Sequence, residues 1–179
     1  METNLEKNNI PQNLAEETNS FYFYNSFNTR YSFFGIFVNK NKIRFLPVLL
    51  DYLQFVILSD IIDGKLEIKN CGIYSYLIQL VDGKKLFMDC VNLTYSESLG
   101  IPLSNLVIRN KKTQKIDDIS KVFVFPAEGA IISLLLKRPI LIDSFSIEYL
   151  TLPIISSVEL PALINFIKAS ITALENKKQ

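Results

Sequence analysis

The sequence predicts one α+β domain in which helices pack on a mixed or antiparallel sheet, followed by an amphipathic C-terminal helix. Segments rich in β-branched and aromatic residues, typical of strands, alternate with segments whose apolar residues recur at helical spacing. The chain has 179 residues, which is enough for one domain with a substantial core. We expect a disordered tail over residues 1–19, the α+β domain over 20–153, and the C-terminal helix and tail over 154–179.

The overall composition bounds the class of protein. With 19 basic and 18 acidic residues the formal net charge is +1, so the chain has no global field to attract a polyanion. Cys71 and Cys90 are too few for a disulfide framework; they fit a reducing compartment, and we expect both to be buried. The N-terminal residues do not resemble a signal peptide, and every apolar run is far shorter than the ~20 residues of a membrane span. We therefore expect a cytoplasmic protein without a membrane partner.

The first apolar segments predict a β-hairpin. Residues 30–39 and 42–50 are joined by Asn-Lys-Asn-Lys, in which Asn tolerates a positive φ. Pro47 cannot donate a hydrogen bond to a neighbouring strand, so the second strand should lie at a sheet edge or end near Pro47. Before the hairpin, residues 20–27 (SFYFYNSF) are aromatic without a clear period, which fits either a short edge strand or a packed arm.

Helices and strands then alternate along the middle of the chain. Asp51, with Gln54 three residues later, is a weak capping-box pattern for a helix that ends at Asp63-Gly64. The apolar positions at helical spacing in this helix are Leu53, Val56, Ile57 and Ile61. A second helix is predicted over 73–81, and strands are predicted over 84–93, 104–110 and 120–125.

Residues 125–143 (FPAEGAIISLLLKRPILID) predict a further helix followed by a short buried strand. Pro126 suits the first helical position, and Glu128 places a carboxylate at the positive end of the helix dipole. Pro139 ends the helix, and residues 140–142 form the strand. The helix should bury the apolar positions that recur at helical spacing, which are Ala127, Ala130, Ile131, Leu134 and Leu135. The last predicted element is an amphipathic helix within 156–178 that begins or is interrupted near Pro161.

In their order, these pieces resemble the bifunctional nuclease (BFN) domain family. In that family a strand reading Leu-Pro-Ile leads into a helix that ends in Glu-Gly, and residues 45–65 (FLPVLLDYLQFVILSDIIDGK) have this order. The family's Arg-Pro-Ser-Asp-Ala-Ile hallmark resembles residues 125–131 (FPAEGAI), and its Pro-Ile-Tyr-Val strand resembles 139–143 (PILID). LVIRN (106–110) fits the strand that the family places just before that hallmark. The resemblance spans roughly residues 31–150 and implies an α+β fold that often self-associates and that cleaves DNA and RNA.

Several polar residues of the family hallmarks are replaced in this chain. Phe125 stands at the Arg position and Ala127 at the Ser position, while Gln54 stands where the family has a carboxylate. The family's Leu-Thr-His-Asp element should fall near residues 73–76, yet the chain contains no histidine. The resemblance therefore implies a nuclease whose chemistry is weakened or lost.

If catalysis persists, acidic side chains must supply it. Phosphodiester hydrolysis needs an activated water and charge stabilisation at the phosphate, usually from a carboxylate-bound metal or from His and Arg. Glu128 and Asp143 are the candidate catalytic carboxylates, with Mg²⁺ or Mn²⁺ as the metal, and Arg109 and Arg138 are the candidate phosphate-binding residues. Each carboxylate also has a structural alternative, Glu128 as a helix N-terminal charge and Asp143 as a cap at a strand end. Glycine-rich phosphate loops, paired-cysteine zinc motifs and nucleophile elbows are absent from the sequence.

Two hypotheses follow. The first is a divergent BFN-type, metal-dependent nuclease with nucleic acid as its partner, in which the lysines at 111, 112 and 115 contribute either a phosphate-tracking patch or only a solvated loop. The second is a non-catalytic domain that keeps the fold and works by self-association, as a homo-oligomer, or by binding another protein.

Overall fold

The computed structural model describes residues 19–67, 70–116, 123–154 and 159–177 and confirms the α+β class. The tail expected before residue 19 lies outside the described residues, as do the first residues of the predicted 120–125 strand. The described strands are β1 (Ser20–Asn28), β2 (Phe33–Asn39), β3 (Arg44–Leu50), β4 (Leu86–Ser96), β5 (Ile101–Asn110), β6 (Phe123–Val124), β7 (Ile140–Ile142) and β8 (Leu152–Pro153). The described helices are α1 (Tyr52–Ile62), α2 (Ile73–Gly83), α3 (Pro126–Leu136), α4 (Ile147–Leu150) and α5 (Leu160–Lys177).

The described strands form one mixed sheet that curls as a half-barrel. Their order across the sheet is β6-β5-β4-β7-β1-β2-β3-β8. The β4–β7 pair is parallel and the other neighbouring pairs are antiparallel. Helix α3 contacts β3, β4, β5 and β7 as well as α1, so it lies inside the curl. The parallel pair arises because α3 carries the chain back and lets β7 run beside β4.

Strand β1 is an interior strand, which corrects the prediction of a short edge strand or a packed arm over residues 20–27. It is nine residues long and pairs with β2 on one side and with β7 on the other. Phe21 is fully buried where β1 meets β7. The local sequence does not predict this position, because it depends on β7, which lies more than a hundred residues further along the chain.

The β2–β3 hairpin is confirmed, but its turn is built differently from the prediction. Lys42, not an asparagine, has the positive φ of 54°. Asn39 instead stabilises the turn with its side chain, whose Oδ1 accepts hydrogen bonds from the backbone N–H groups of Ile43 and Arg44 at 2.9 and 3.0 Å. Strand β3 is next to the last strand of the sheet, and Pro47 lies beyond the two residues that pair with β8.

Helix α1 begins with the predicted capping box. Asp51 Oδ1 accepts from the Gln54 backbone N–H at 2.7 Å, and Gln54 Oε1 accepts from the Asp51 N–H at 2.9 Å. Its most buried residue is Leu58, which is fully inaccessible, whereas Leu53, expected on the apolar face, is 66% exposed. Leu53 is exposed because it belongs to the first turn, where the helix has just left the sheet.

Helix α3 begins at the predicted residue, Pro126. It is more deeply buried than the spacing of its apolar residues indicates. Gly129, Ile132 and Ser133 are buried in addition to the predicted face, whereas Leu134 is only partly buried. A helix enclosed by a curled sheet and by α1 has neighbours on most of its sides, so one-sided periodicity underestimates its contacts. The helix ends at Lys137, whose φ of 53° is the left-handed conformation common at helix C-termini.

Helix α5 covers the outer face of the sheet and forms a second, smaller core there. Ile164 is buried against Phe27, Ile36, Val38 and Phe45 from the first three strands. Burial of these apolar surfaces is the main attraction that holds the C-terminal helix to the domain. The predicted C-terminal amphipathic helix is therefore confirmed, and it begins at Leu160.

A single carboxylate also fastens the end of α5 to the β1–β2 turn. Glu175 accepts hydrogen bonds from Thr29 Oγ1 at 2.7 Å, from Ser32 Oγ at 3.0 Å and from the Arg30 backbone N–H at 3.2 Å. The hydrogen bond from Thr29 is the largest cause that lowers the pKa of Glu175 below its ordinary value of 4.5. These bonds favour the ionised form of the side chain, because both carboxylate oxygens serve as acceptors.

Replacing Glu175 by Gln is expected to reduce thermal stability in a pH-dependent way. Because folding lowers the pKa of Glu175, its stabilising contribution is fully present above pH 4.5 and is lost as the pH falls through the lower folded value. Melting followed by circular dichroism should show a gap between wild type and Glu175→Gln at pH 7 that narrows in acid. Glu97→Gln, which removes the same charge from an exposed turn, should show no such gap. A gap that stays constant with pH would contradict this role of Glu175.

Candidate functional site

The two strand-to-helix corners that carry the BFN resemblance meet at one cavity, which we call the corner cavity. One corner is the β3–α1 connection, which contributes Pro47 and Gln54. The other is the start of α3, which contributes Phe125 and Pro126. The cavity is open to solvent, has a volume of about 450 Å³ and is also lined by residues of β4, β5 and α4. Both corners therefore belong to a single body.

The walls of the corner cavity are almost entirely apolar. Its lining consists of leucine, valine, proline, alanine and phenylalanine side chains, and Gln54 is the one polar residue among them. Gln54 already uses its Oε1 in the capping box of α1. Pockets of ~300–1,000 Å³ with apolar walls and few polar groups are typical of ligand-binding sites. This lining can bind an apolar group, but it carries no acid, base or nucleophile.

Glu128 lies beside this cavity and caps helix α3. Its Oε2 accepts a hydrogen bond from the Phe125 backbone N–H at 3.1 Å, which is the side-chain half of a capping box. Phe125 has no side-chain acceptor, so the other half of the box cannot form. Its ring is instead 75% exposed at the mouth of the corner cavity. Glu128 thus has the structural role that the sequence offered as the alternative to catalysis, that of a charge at a helix N-terminus.

Asp143 follows β7 and closes a tight turn before α4. It accepts hydrogen bonds from the backbone N–H groups of Phe145 and Ser146 at 3.0 and 2.9 Å, and from Ser146 Oγ at 2.6 Å. Partial burial acts to raise the pKa of Asp143, but these hydrogen bonds outweigh it and lower the pKa below its ordinary value. Ser146 Oγ in turn accepts from the Tyr95 backbone N–H at 2.7 Å, so the turn is fastened to β4.

Replacing Asp143 by Ala is expected to lower the free energy of unfolding by about 1 kcal/mol, the usual cost of losing a capping side chain. Asp143→Asn should cost less, because an amide oxygen still accepts from the two backbone N–H groups. Chemical denaturation measures both. Asp63→Ala is the matched control: it breaks only an exposed ion pair with Lys65 and should change stability by less than ~0.5 kcal/mol. Equal losses for Asp143→Ala and Asp63→Ala would contradict the structural role of Asp143.

The two candidate carboxylates lie at the same end of the domain. Helix α3, which has Glu128 in its first turn, is about 16 Å long at 1.5 Å per residue. The chain then returns along residues 139–143 for a similar length at ~3.3 Å per residue. Asp143 therefore ends level with the start of α3.

The two candidate basic residues lie at the other end. Arg138 follows the C-terminus of α3 and lines a small cavity of about 150 Å³ with Val81 and Met88. Arg109 is seven positions along β5 from Pro102, the β5 residue of the corner cavity, which is ~23 Å of extended chain. The backbone thus separates the predicted carboxylates from the predicted phosphate-binding residues.

Arg109 also has a partner that the sequence does not predict. Its Nε donates to Asp89 Oδ2 at 2.6 Å, and its Nη1 donates to the Gln114 backbone oxygen at 3.2 Å. The hydrogen bond with Asp89 is the largest cause that raises the pKa of Arg109. Lys111, Lys112 and Lys115 are exposed on the turn that follows. This geometry gives Arg109 a role in holding together β4, β5 and the turn that follows β5.

Both cysteines are buried and reduced, as expected. Burial raises the pKa of the Cys90 thiol to about 12, and the neighbouring charge of Asp89 adds to this effect, against opposing effects of Arg109 and Arg138. Burial also raises the pKa of Cys71. Because the thiolate is the reactive form, neither side chain is set up as a nucleophile.

Tyr74, at the second position of α2, is buried in the main core cluster. Burial is the largest cause that raises the pKa of Tyr74, and the charges of Glu128 and Asp51 raise it further. The charges at the starts of α1 and α3 therefore both disfavour the ionised form of the Tyr74 hydroxyl.

Within the ranges described, no three or more His, Cys, Asp or Glu side chains are grouped so that they could hold a metal ion. In the same ranges, no helix has the length and apolar character needed to span a bilayer.

No protein-family model matches the chain, and no curated protein matches its sequence.

Proposed function

We propose that this chain is a divergent BFN-type domain that has lost or weakened nuclease chemistry and works as a binding domain that self-associates. One observation carries the proposal. The two corners that resemble the BFN hallmarks enclose a cavity of about 450 Å³ whose lining offers apolar contact and a single amide. Such a surface favours association, because burying apolar area drives protein contacts, whereas phosphodiester hydrolysis needs polar catalytic groups.

The hydrogen bonds of the predicted catalytic side chains support the same proposal. Glu128 and Asp143 are both used as caps, and Arg109 is paired with Asp89. A carboxylate that serves as a metal ligand or general base must present its oxygens to the metal or the water. The carboxylate oxygens of Glu128 and Asp143 already accept hydrogen bonds from backbone N–H groups or a hydroxyl. They would have to break these hydrogen bonds before they could bind a metal or a water.

Nuclease activity is the second candidate function, and one observation favours it. Glu128 and Asp51 come from different corners, yet both charges act on the Tyr74 hydroxyl. Carboxylates and hydroxyls are the groups that acid–base chemistry on a phosphodiester uses. This arrangement supplies polar groups that the corner cavity lacks.

A cleavage assay separates the two candidates. The purified chain is incubated with labelled single-stranded DNA and RNA in Mg²⁺ or Mn²⁺, beside an EDTA control and the double variant Glu128→Gln/Asp143→Asn. We expect wild type and double variant to leave the substrates equally intact. Metal-dependent cleavage by the wild type that the double variant loses would overturn the proposal and establish the nuclease. Metal-dependent cleavage equal in both proteins would also overturn the proposal, and it would remove Glu128 and Asp143 from the mechanism.

A further inference from the structure

The corner cavity has a floor in the main core and a rim that is accessible to solvent. Leu46 and Leu93 line it and are buried members of the main core cluster. Leu49 and Phe125 also line it, but they are 63% and 75% exposed. The lining side chains come from β3, β4 and β5 and from α1, α3 and α4. A flat apolar patch has no such floor, so the shape is the concave one that ligand sites have.

The cavity is larger than one side chain of another protein would fill. Its volume is about 450 Å³, roughly three times that of the ~150 Å³ cavity that accommodates one benzene molecule. A single phenylalanine or leucine from a partner would leave most of this space empty, and the lining would forfeit packing contacts there. A molecule of about three rings has the size that fills it.

The lining is poorly suited to a peptide backbone. A peptide long enough to fill the cavity brings several amide groups, and each of them needs a partner once it is buried. Pro47, Pro102 and Pro126 have no N–H to donate, and Pro47 also interrupts the row of donors that a strand added to β3 would need. Gln54 is the one lining residue with a polar side chain. Its amide can serve one polar group of a ligand, through Nε2 or through the second lone pair of Oε1.

The charges around the cavity disfavour an anion. Asp51 caps α1 and Glu128 caps α3, so each carboxylate offsets the positive end of a helix dipole at this site. No described residue that lines the cavity is charged. A fatty acid or a phosphate ester would therefore be buried without a counter-ion, which is costly, whereas an uncharged molecule avoids this cost.

We propose that the corner cavity binds an uncharged hydrophobic small molecule of about three rings, with a single polar group placed at Gln54. This inference rests on the binding role proposed for the domain and names the class of ligand. The leucines and prolines of the walls contact the rings of the ligand. Phe125 covers the part of the ligand that faces solvent, and the Gln54 amide sets its orientation.

Fluorescence titration of the full chain with two probes that differ by one charge tests the class of ligand. N-phenyl-1-naphthylamine is uncharged, joins a phenyl and a naphthalene ring through one N–H, and fluoresces more strongly in apolar surroundings. 8-Anilino-1-naphthalenesulfonate has the same rings and an added sulfonate. We expect the uncharged probe to bind at one site and the sulfonate to bind there about tenfold more weakly or not at all, because its charge would be buried unpaired.

Two matched variants test whether the probe occupies the corner cavity. Phe125→Asp removes the ring at the mouth and adds a charge, and it should fold because aspartate is a favoured residue at the N-cap position that Phe125 occupies in α3. Phe123→Asp is the control, since Phe123 is 70% exposed but does not line the cavity. We expect Phe125→Asp to weaken binding of the uncharged probe by about tenfold and Phe123→Asp to leave it unchanged.

Four outcomes would overturn the proposal. The uncharged probe fails to bind, or it binds Phe125→Asp as tightly as wild type, or Phe123→Asp loses as much affinity as Phe125→Asp. The fourth is a sulfonate that binds as tightly as the uncharged probe and is equally sensitive to Phe125→Asp.

Light scattering distinguishes a small ligand from a second copy of the chain. If saturating N-phenyl-1-naphthylamine converts an oligomer of the chain into a monomer, the second copy is the occupant of the cavity, and the assignment of a small ligand is overturned. An unchanged mass beside one-site binding of the probe supports the small ligand. Metal-dependent cleavage would overturn the proposed non-catalytic function and leave these binding results standing.

Discussion

Replacing Ile131 by Ala is expected to lower the free energy of unfolding by about 2–5 kcal/mol, the range for truncating a buried aliphatic side chain. Ile131 is fully inaccessible and belongs to the main core cluster. It lies in the middle of α3, inside the curl of the sheet. The surrounding strands and α1 restrict one another, so the cavity left by the substitution can collapse only in part. Urea denaturation followed by circular dichroism measures the loss.

The control for this prediction is Ile73→Ala. Ile73 is also a helical isoleucine, but it is 77% exposed at the start of α2, and its truncation should change stability by less than ~0.5 kcal/mol. Similar small effects for both substitutions would contradict the placement of α3 at the centre of the core.

Gly129→Ala is expected to destabilise the protein by about 1–3 kcal/mol through overpacking. A Cβ at Gly129 would lie 2.9 Å from Val91 Cγ1 and 3.2 Å from Ser104 Oγ. Val91 is a buried β-branched side chain, and Ser104 Oγ donates a hydrogen bond to the Val124 backbone oxygen at 2.7 Å, so neither atom can move freely. The clash opposes the advantage of ~1 kcal/mol that alanine has over glycine in a helix.

Gly83→Ala separates the clash from that helical preference. Gly83 ends α2, and a Cβ there would meet no atom within 4 Å. We expect a neutral result or a gain of up to ~1 kcal/mol. A thermal midpoint that rises for both glycine variants would show that α3 does not approach β4 and β5 as closely as the structure has it.

Local chemistry in the sequence predicted those features that depend on near neighbours. Asp51 and Gln54 are three residues apart, and their capping box is present with both hydrogen bonds. Pro126 begins α3 as predicted, because its fixed φ and missing N–H suit that position whatever the tertiary surroundings. The α+β class was predicted for the same reason, because the spacing of apolar residues within each segment indicates a strand or a helix without reference to distant residues.

Features that depend on distant neighbours were missed or only partly predicted. The interior position of β1 is set by β7, and the all-round burial of α3 is set by the curl of the sheet. The end-to-end separation of Glu128 from Arg138 could have been predicted from the sequence, because the predicted helix already lies between them. The partner of Arg109 could not, since Asp89 comes opposite only after β4 and β5 pair.

The corner cavity illustrates the same limit. Pro47, Gln54, Phe125 and Pro126 were all noted in the sequence, each for its own local role. They line one largely apolar cavity only because the β3–α1 corner packs against the start of α3. Phe125, an aromatic residue directly before Pro126 that is exposed at the mouth of this cavity, is the sequence signal that points to a binding surface.

Titration of metal into the folded chain tests most directly the central claim that Glu128 and Asp143 are caps and not ligands. The account predicts no stoichiometric heat with Mn²⁺ or Mg²⁺ and no rise in thermal stability. A bound metal at a hundred times its dissociation constant would add ~2.7 kcal/mol, which is readily measured. A one-to-one metal site that stabilises the wild type and disappears in Glu128→Gln or Asp143→Asn would contradict the account.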